Sequence, residues 1–413
     1  MPGGVLERRV EAWAERLLRG RLAQLADGAI TLVEGGRRDT YGRATARCPF
    51  AVTVQVRDRR FYPEVALGGS VGAGESFMAG DWQVDDLTGL VRILLVNRGV
   101  LDGLDAGWSR LAEPARRVLH ALARNTRHGS RRNIAAHYDI GNDFFELFLD
   151  PTMMYSCAFH EHPGQSLEDA QRAKLDRLCR KLDLQPGDHL LEIGTGWGAL
   201  AMHAASRYGC RVTTTTISRE QHALACERIA AAGLAERITV RLDDYRDLDG
   251  RYDKLVSVEM IEAVGHQYFD TFFRRCHALL VPGGTMVLQS ITIDDRLYAA
   301  ARDSVDFIKR HVFPGCCIPS VGALTASVVQ ASGLRLVDLE DIGPHYATTL
   351  AAWRERLFAN ADAVRARGYP ETLLRLWHFY LAYCEGGFAE RTLGNVQMVL
   401  QDTSTAVRPT PRV

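Results

Sequence analysis

No run of apolar residues in this chain approaches the roughly 18 to 20 that a membrane-spanning helix needs, so no transmembrane segment is expected. The opening stretch, MPGGVLERRVEAWAERLLRG, also lacks the uncharged core of a secretory signal. Net charge is missing as well: 50 Lys and Arg stand against 50 Asp and Glu. That balance excludes a general electrostatic pull toward nucleic acid and confines any anionic partner to a local patch. Paired Cys-x-x-Cys spacing is absent, and the nine cysteines are scattered through apolar stretches of a 413-residue chain, too long to need disulfide stapling. Reduced thiols and a cytoplasmic setting are the expectation. There is no internal repeat and no low-complexity tract.

What is present divides the chain. Val5, Leu6, Val10, Trp13, Leu17, Leu18 and Leu22 recur at helical spacing with Arg8, Arg9, Arg16 and Arg19 between them. This basic amphipathic helix reads either as a surface helix packed on its own domain or as an interfacial one. The stretches AITLVEG and FAVTVQVRD follow, where Val52, Val54 and Val56 alternate with Thr53 and Gln55 as in a half-buried strand. A small N-terminal α+β domain over residues 1–100 is expected. Residues 101–132 form a basic amphipathic linker. Here and just before it stand Arg98, Arg110, Arg116, Arg117, Arg124, Arg127, Arg131 and Arg132, against Asp102, Asp105 and Glu113. This stretch is either a plain connection or a phospholipid-facing surface. Over 133–413, HLLEIG, RVTTTTIS, RITVRLDD, DKLVSVEMI and TMVLQSITI alternate with helical runs, which predicts a mainly parallel, doubly wound α/β sheet with its ligand at the carboxyl ends of the strands.

At the first of those strand ends, Glu192 precedes Gly194, Gly196 and Gly198. The spacing is not the G-x-G-x-x-G of a dinucleotide dehydrogenase. The glycines permit a tight turn and close backbone approach to a bulky ligand, although a purely structural turn competes. Context strengthens the first reading: TTISREQ ends the second strand, DDY the third, and LVPGG precedes a later one. Together these resemble the class I methyltransferases that bind S-adenosylmethionine (SAM), whose sheet has seven strands in a Rossmann-like arrangement. The resemblance implies a loop around the methionine moiety, ribose at the second strand end and adenine at the third. The residues it assigns to SAM are Tyr155, Ser156, Glu192, Gly194, Gly196, Gly198, Thr216, Ser218, Gln221, Tyr245 and Arg246.

Longer stretches go further. NIAAHYDIGNDFFELFLDPTMMYSCAFH, EMIEAVGHQYFDTFF, FIKRHVFPGCCIPS and FYLAYCEGGFAERTLGNVQMVL resemble the cyclopropane-fatty-acyl-phospholipid synthase family and its mycolic-acid relatives, and VALGGSVGAGESFMAGDW is similar to the N-terminal domain of full-length members. The resemblance implies attack of an acyl cis double bond on the SAM methyl, proton loss and ring closure. It also implies an unsaturated phospholipid substrate, peripheral contact with the inner face of a membrane, and a homodimer. The base it implies is a bicarbonate ion, held by backbone groups of Cys157 and Ile291 and by the side chains of Glu262, Tyr380 and Gln289. At position 289 many bacterial members carry histidine. Glutamine can hydrogen-bond an anion but cannot become cationic.

The residues also have plainer readings. Cys157 reads by itself as a small buried hydrophobe. Glu262 follows a buried-looking strand and needs a partner or a job. Glu259 reads as a supporting carboxylate. The many aromatic residues within these stretches, such as Phe144, Phe145, Phe148, Phe272 and Phe273, read mostly as core. His137, His266, His311 and His378 have no metal-site spacing, and no metal is expected. Two other functions remain open: SAM-dependent formation of methyl- or methylene-branched acyl chains, and a non-catalytic lipid-binding protein.

Overall fold

The computed structural model describes residues 3–99 and 140–404, the side chains from residue 7 onward. The linker expected over 101–132 lies outside the described residues, as does His137. Two compact units divide the rest. The first holds the residues up to 99 together with Ser304–Val312 and Leu357–Thr392; the second holds 140–303, Phe313–Arg356 and 393–404. Linear boundaries at 100 and 133 therefore differ from the compact units at two segments, which pack with the first unit. The reason is visible in the helix Glu371–Ala389, whose Leu374, Trp377, Phe379 and Phe388 are buried. A Cβ placed on its Gly386 would stand 2.6 Å from Val91, so this helix lies almost backbone-close to its neighbour.

In the first unit, α1 (Gly3–Leu22) buries Ala14, Leu18 and Leu22, which supports the packed-surface-helix reading; Val10 and Trp13 remain exposed. Strands β1 (Gly28–Glu34), β2 (Arg37–Arg43), β3 (Ala51–Val56) and β4 (Trp82–Val84) form a sheet in the order β2-β1-β3-β4. Val52, Val54 and Val56 face inward as their alternation requires. Helices α2 (Phe61–Ala79) and α3 (Leu87–Val96) complete it, with Asp86 capping α3 by accepting the Gly89 N–H at 2.8 Å.

The second unit is a seven-stranded sheet. Its strands are β5 (His189–Ile193), β6 (Arg211–Thr215), β7 (Ile238–Arg241), β8 (Tyr252–Val258), β9 (Leu280–Ile293), β10 (Leu334–Asp341) and β11 (Leu393–Asp402), ordered β10-β11-β9-β8-β5-β6-β7. Strands β5 to β9 are mutually parallel, while β11 runs antiparallel between β9 and β10. Consecutive residues feed opposite faces: Leu191, Leu255, Met286 and Leu288 enter one apolar cluster, and Leu190, Val256 and Val287 the other. Among the covering helices are α4 (Leu167–Lys181), α5 (Arg219–Ala231) and α6 (Phe269–Leu279). Helix α6 buries Phe269, Phe272, Phe273, Cys276 and Leu279, a helical stripe. The chain order reverses beside β5, which sets the carboxyl ends of β5, β6 and β8 side by side, and the candidate site residues follow these strands.

Candidate active site

The turn after β5 puts three glycines in the left-handed region: φ is 106° at Gly194, 51° at Gly196 and 87° at Gly198. The N–H groups of Gly194 and Thr195 donate to the Thr215 carbonyl at 3.0 and 3.1 Å, tying the loop to β6. A Cβ on Gly196 would meet no atom within 4 Å, so the loop presents bare backbone to open space. This is the cradle a SAM methionine moiety fits.

The threonine run of β6 supplies the hydroxyls around it. Thr214 donates to Glu192 Oε2 at 2.6 Å, Thr215 to the Asp243 carbonyl at 2.6 Å and Thr216 to Gln221 Oε1 at 2.9 Å. β-Branched residues suit the strand, and their hydroxyls satisfy what would otherwise be buried polar ends. Burial pushes the Glu192 carboxyl up to about 8, against the Thr214 hydrogen bond and the charge of Lys174. Lys174 is fully buried on α4 and donates to Ser156 Oγ at 2.7 Å; its ammonium is pulled down to about 8 by burial. Nothing in the sequence around Lys174 distinguishes it from a surface lysine of an amphipathic helix. Ser218 caps α5 by accepting the Gln221 N–H at 3.3 Å. Tyr245 is buried with its hydroxyl unpartnered, whereas Arg246 is gripped by Asp244 through bonds of 2.8 and 2.6 Å. Tyr155 lies in an aromatic cluster with Phe145 and Trp353, at centroid distances of 5.4 and 5.3 Å.

Beyond the cradle, the segment that leaves β8 carries two carboxylates, Glu259 and Glu262, and the end of β9 supplies their partners Gln289, Ser290 and Ile291. Met260, between them in sequence, would stand 3.4 Å from a Cβ on Gly194, so this segment adjoins the glycine loop. Glu262 is buried; its Oε1 accepts from the Ile291 N–H at 2.5 Å and from Ser290 Oγ at 2.9 Å, while its Oε2 is buried without a partner. Burial first, and the charge of Glu259 second, push its carboxyl up to about 8. Glu259 is the hub. Its Oε1 accepts from the Cys157 N–H at 3.0 Å, Gln289 Nε2 at 2.9 Å and Asn395 Nδ2 at 2.6 Å, and its Oε2 from the Tyr346 hydroxyl at 2.6 Å. Gln289 is completed from behind by Gln397, which donates to its Oε1 at 3.0 Å. The Cys157 thiol is buried and pushed well above its ordinary value, chiefly by desolvation, which leaves its backbone as the useful part.

The structure thus brings Cys157, Glu262, Gln289 and Ile291 together. Tyr380 belongs to the first unit, buried on the helix Glu371–Ala389 with its ring edge-on to Trp377 at 5.4 Å. Tyr346, Asn395 and Gln397 escaped the sequence reading. Tyr346 and Asn395 reach Glu259 from 87 and 136 residues away, on a helix and a strand whose local patterns are unremarkable. Glu259 itself, read as a supporting carboxylate, occupies the centre of the network.

Known proteins resemble this chain in sequence and fold. Residues 125–398 match the family model described as mycolic acid cyclopropane synthetase. The tuberculostearic acid methyltransferase UfaA1 of Mycobacterium tuberculosis is 40% identical over 412 residues, spanning 97% of this chain and 93% of that protein. The Escherichia coli cyclopropane-fatty-acyl-phospholipid synthase is 37% identical over 350 residues, 84% of this chain and 87% of that one. The crystal structure of mycolic acid cyclopropane synthase CmaA1 complexed with SAH and CTAB superposes with a TM-score of 0.62 at 33% identity, covering 66% of this chain and 98% of that chain. With the family match, the identities along the chain and the shared fold in agreement, the chain belongs to the mycolic acid cyclopropane synthetase family, as a SAM-binding enzyme of the cyclopropane-synthase type on the methyltransferase fold.

Proposed function

We propose that this enzyme transfers a one-carbon unit from SAM to the cis double bond of an unsaturated acyl chain in a membrane phospholipid and closes a cyclopropane ring. The observation that carries the reading is the carboxylate segment Glu259–Glu262, with Glu262 buried, set against an open glycine cradle, with Met260 adjoining Gly194. Cyclopropanation or methylation of lipid acyl chains is the chemistry that the names of the relatives share.

SAM, when bound, supplies an electrophilic methyl on a sulfonium. Gly194, Gly196 and Gly198 would hold its methionine end, Gln221 its ribose, and Tyr245 its base. An alkene is a feeble nucleophile, so the chain's work is to align the acyl carbons, exclude water and stabilise positive charge. Tyr155 and its aromatic neighbours offer π-faces for that charge, and the Glu259 carboxylate offers a fixed negative one.

A second reading keeps the site and changes the product to a methyl- or methylene-branched chain. It is favoured by the UfaA1 likeness, which runs through 97% of this chain. Purified enzyme, SAM and vesicles of cis-unsaturated phospholipid decide. A gain of one CH₂ per modified chain with upfield ring-methylene protons in NMR supports the cyclopropane; the same gain with vinylic methylene protons supports the branch. No gain would sink both.

A further inference from the structure

The family resemblance implies that the proton lost from the new methyl goes to a bicarbonate ion held by Cys157, Glu262, Gln289, Ile291 and Tyr380. The residues of the second unit do not fit that ion. The Cys157 N–H and the Gln289 amide both already donate to Glu259 Oε1, at 3.0 and 2.9 Å, and the Ile291 N–H donates to Glu262 Oε1 at 2.5 Å. The Gln289 Nε2 also faces the Cys157 carbonyl at 3.5 Å, and its Oε1 accepts from Gln397, so both ends of the amide are turned to partners already present. An added anion would find the Cys157, Gln289 and Ile291 donors engaged and the Glu259 carboxylate beside it, with no histidine at 289 to supply compensating charge.

We propose that the Glu259 carboxylate is the built-in anion of this site and takes the proton that resemblance assigns to bicarbonate. Four features converge on it. It is fastened by donors from four separate segments, at Cys157, Gln289, Tyr346 and Asn395. It sits at the carboxyl end of β8, next to the strand carrying the glycine cradle. Its backbone takes φ of 48°, a conformation that disfavours any residue but glycine and that the four bonds hold in place. Glutamine at 289 suits a resident carboxylate, to which it donates while remaining neutral.

The step balances without an external base. A C–H bond of the delivered methyl breaks, its electron pair forms the third ring bond to the cationic carbon, and the proton joins Glu259. The resulting carboxylic acid then releases that proton to water. For a methylene-branched product the same electron pair becomes a double bond instead.

The inference rests on the one-carbon transfer proposed above, so its test includes a readout that needs no turnover. Carbon-13 NMR of labelled bicarbonate should show no binding to the wild type and saturable binding to Glu259→Gly, a substitution that suits the positive φ and vacates the carboxylate's place. In buffer stripped of carbon dioxide, wild-type turnover should stay within about twofold of that with bicarbonate, while Glu259→Gly should fall by about 10² to 10⁴ and recover at least about tenfold with bicarbonate or formate. Glu259→Gln, which keeps the shape, should lose activity to a similar extent and show no rescue, because the amide still fills the site. Calorimetric SAM affinity near wild type in both variants confirms folding. Bicarbonate binding to the wild type, a wild-type rate that drops about tenfold on depletion, or either variant remaining fully active in depleted buffer would overturn the proposal. An inactive wild type on every lipid tried would count against the proposed reaction alone, and the NMR result would still decide this one.

Discussion

Glu262 shows how far burial beside a like charge can move a group. Its carboxyl, ordinarily near 4.5, is raised to about 8, first by desolvation and then by Glu259. Between those two values the unfolded chain has released the proton while the folded protein keeps it, so stability is fully present below the lower value and falls as pH rises through the upper one. Glu262→Gln removes that titration. In urea unfolding between pH 5 and 8.5, the variant's stability relative to wild type should climb with pH, by an amount on the order of 3 kcal/mol, whatever its offset at pH 5. Parallel curves would show that Glu262 is ionised in the folded protein throughout. Gln289 tests the same network from its neutral side. Gln289→Ala removes a donor from Glu259 and strands the buried Gln397 amide, at a cost of about 1–3 kcal/mol. Gln289→His, which keeps a ring N–H, should lose less; equal losses in denaturant titration would count against the amide bridge.

Elements answer to backbone geometry more than to single contacts. The turn from β5 needs φ of 51° at Gly196, and its Cβ position opens onto the cradle. Gly196→Val would force a β-branched residue into the left-handed region and project it into the proposed SAM site. Calorimetric SAM affinity should fall at least about tenfold, and normal affinity would mean that the loop does not face the ligand. Helix α2 has an analogous logic. Its glycine-rich stretch bends at Gly69, where φ and ψ are 56° and −140°, and a Cβ on Gly74 would strike the Phe307 ring at 2.2 Å. Phe307 is fully buried against Phe379 and has nowhere to move. Gly74→Ala should therefore destabilise by about 1–3 kcal/mol, read as a lower urea midpoint. An unchanged midpoint would mean that the helix can shift at little cost.

For the whole molecule, the proposed substrate sets the problem: a phospholipid acyl chain lies in a bilayer, and no helix among the described residues is long and apolar enough to cross one. With a formal net charge of +0, attraction to anionic lipid must come from a local patch, and the arginines between 98 and 132 are the patch we propose. Replacing Arg116, Arg117, Arg131 and Arg132 with Glu should weaken sedimentation with anionic vesicles at low salt and leave SAM affinity near wild type. Undiminished vesicle binding would remove that surface from consideration. We also propose a homodimer, for which light scattering should give twice the 45.9 kDa of one chain.

Local pattern determined a great deal. Alternation in β3, the glycine spacing after Glu192 and the parallel strand series were readable because each depends on residues within one turn or one strand. The long stretches around Cys157, Glu262 and Ile291 were legible through resemblance. Tertiary structure alone decided which carboxylate stands at the centre. Glu259 and Glu262 are three residues apart on one short segment, and only the arrival of Tyr346 and Asn395 from distant elements, with Gln289 across the strand pair, separates a fully bonded carboxylate from one with a bare buried oxygen. It also decided that Leu357–Thr392 packs with the N-terminal residues, because a buried helix face is assigned by what covers it and not by its place in the chain. Hydrogen-bond partners and burial are properties of the folded neighbourhood; for a carboxylate they determine both its charge and its use.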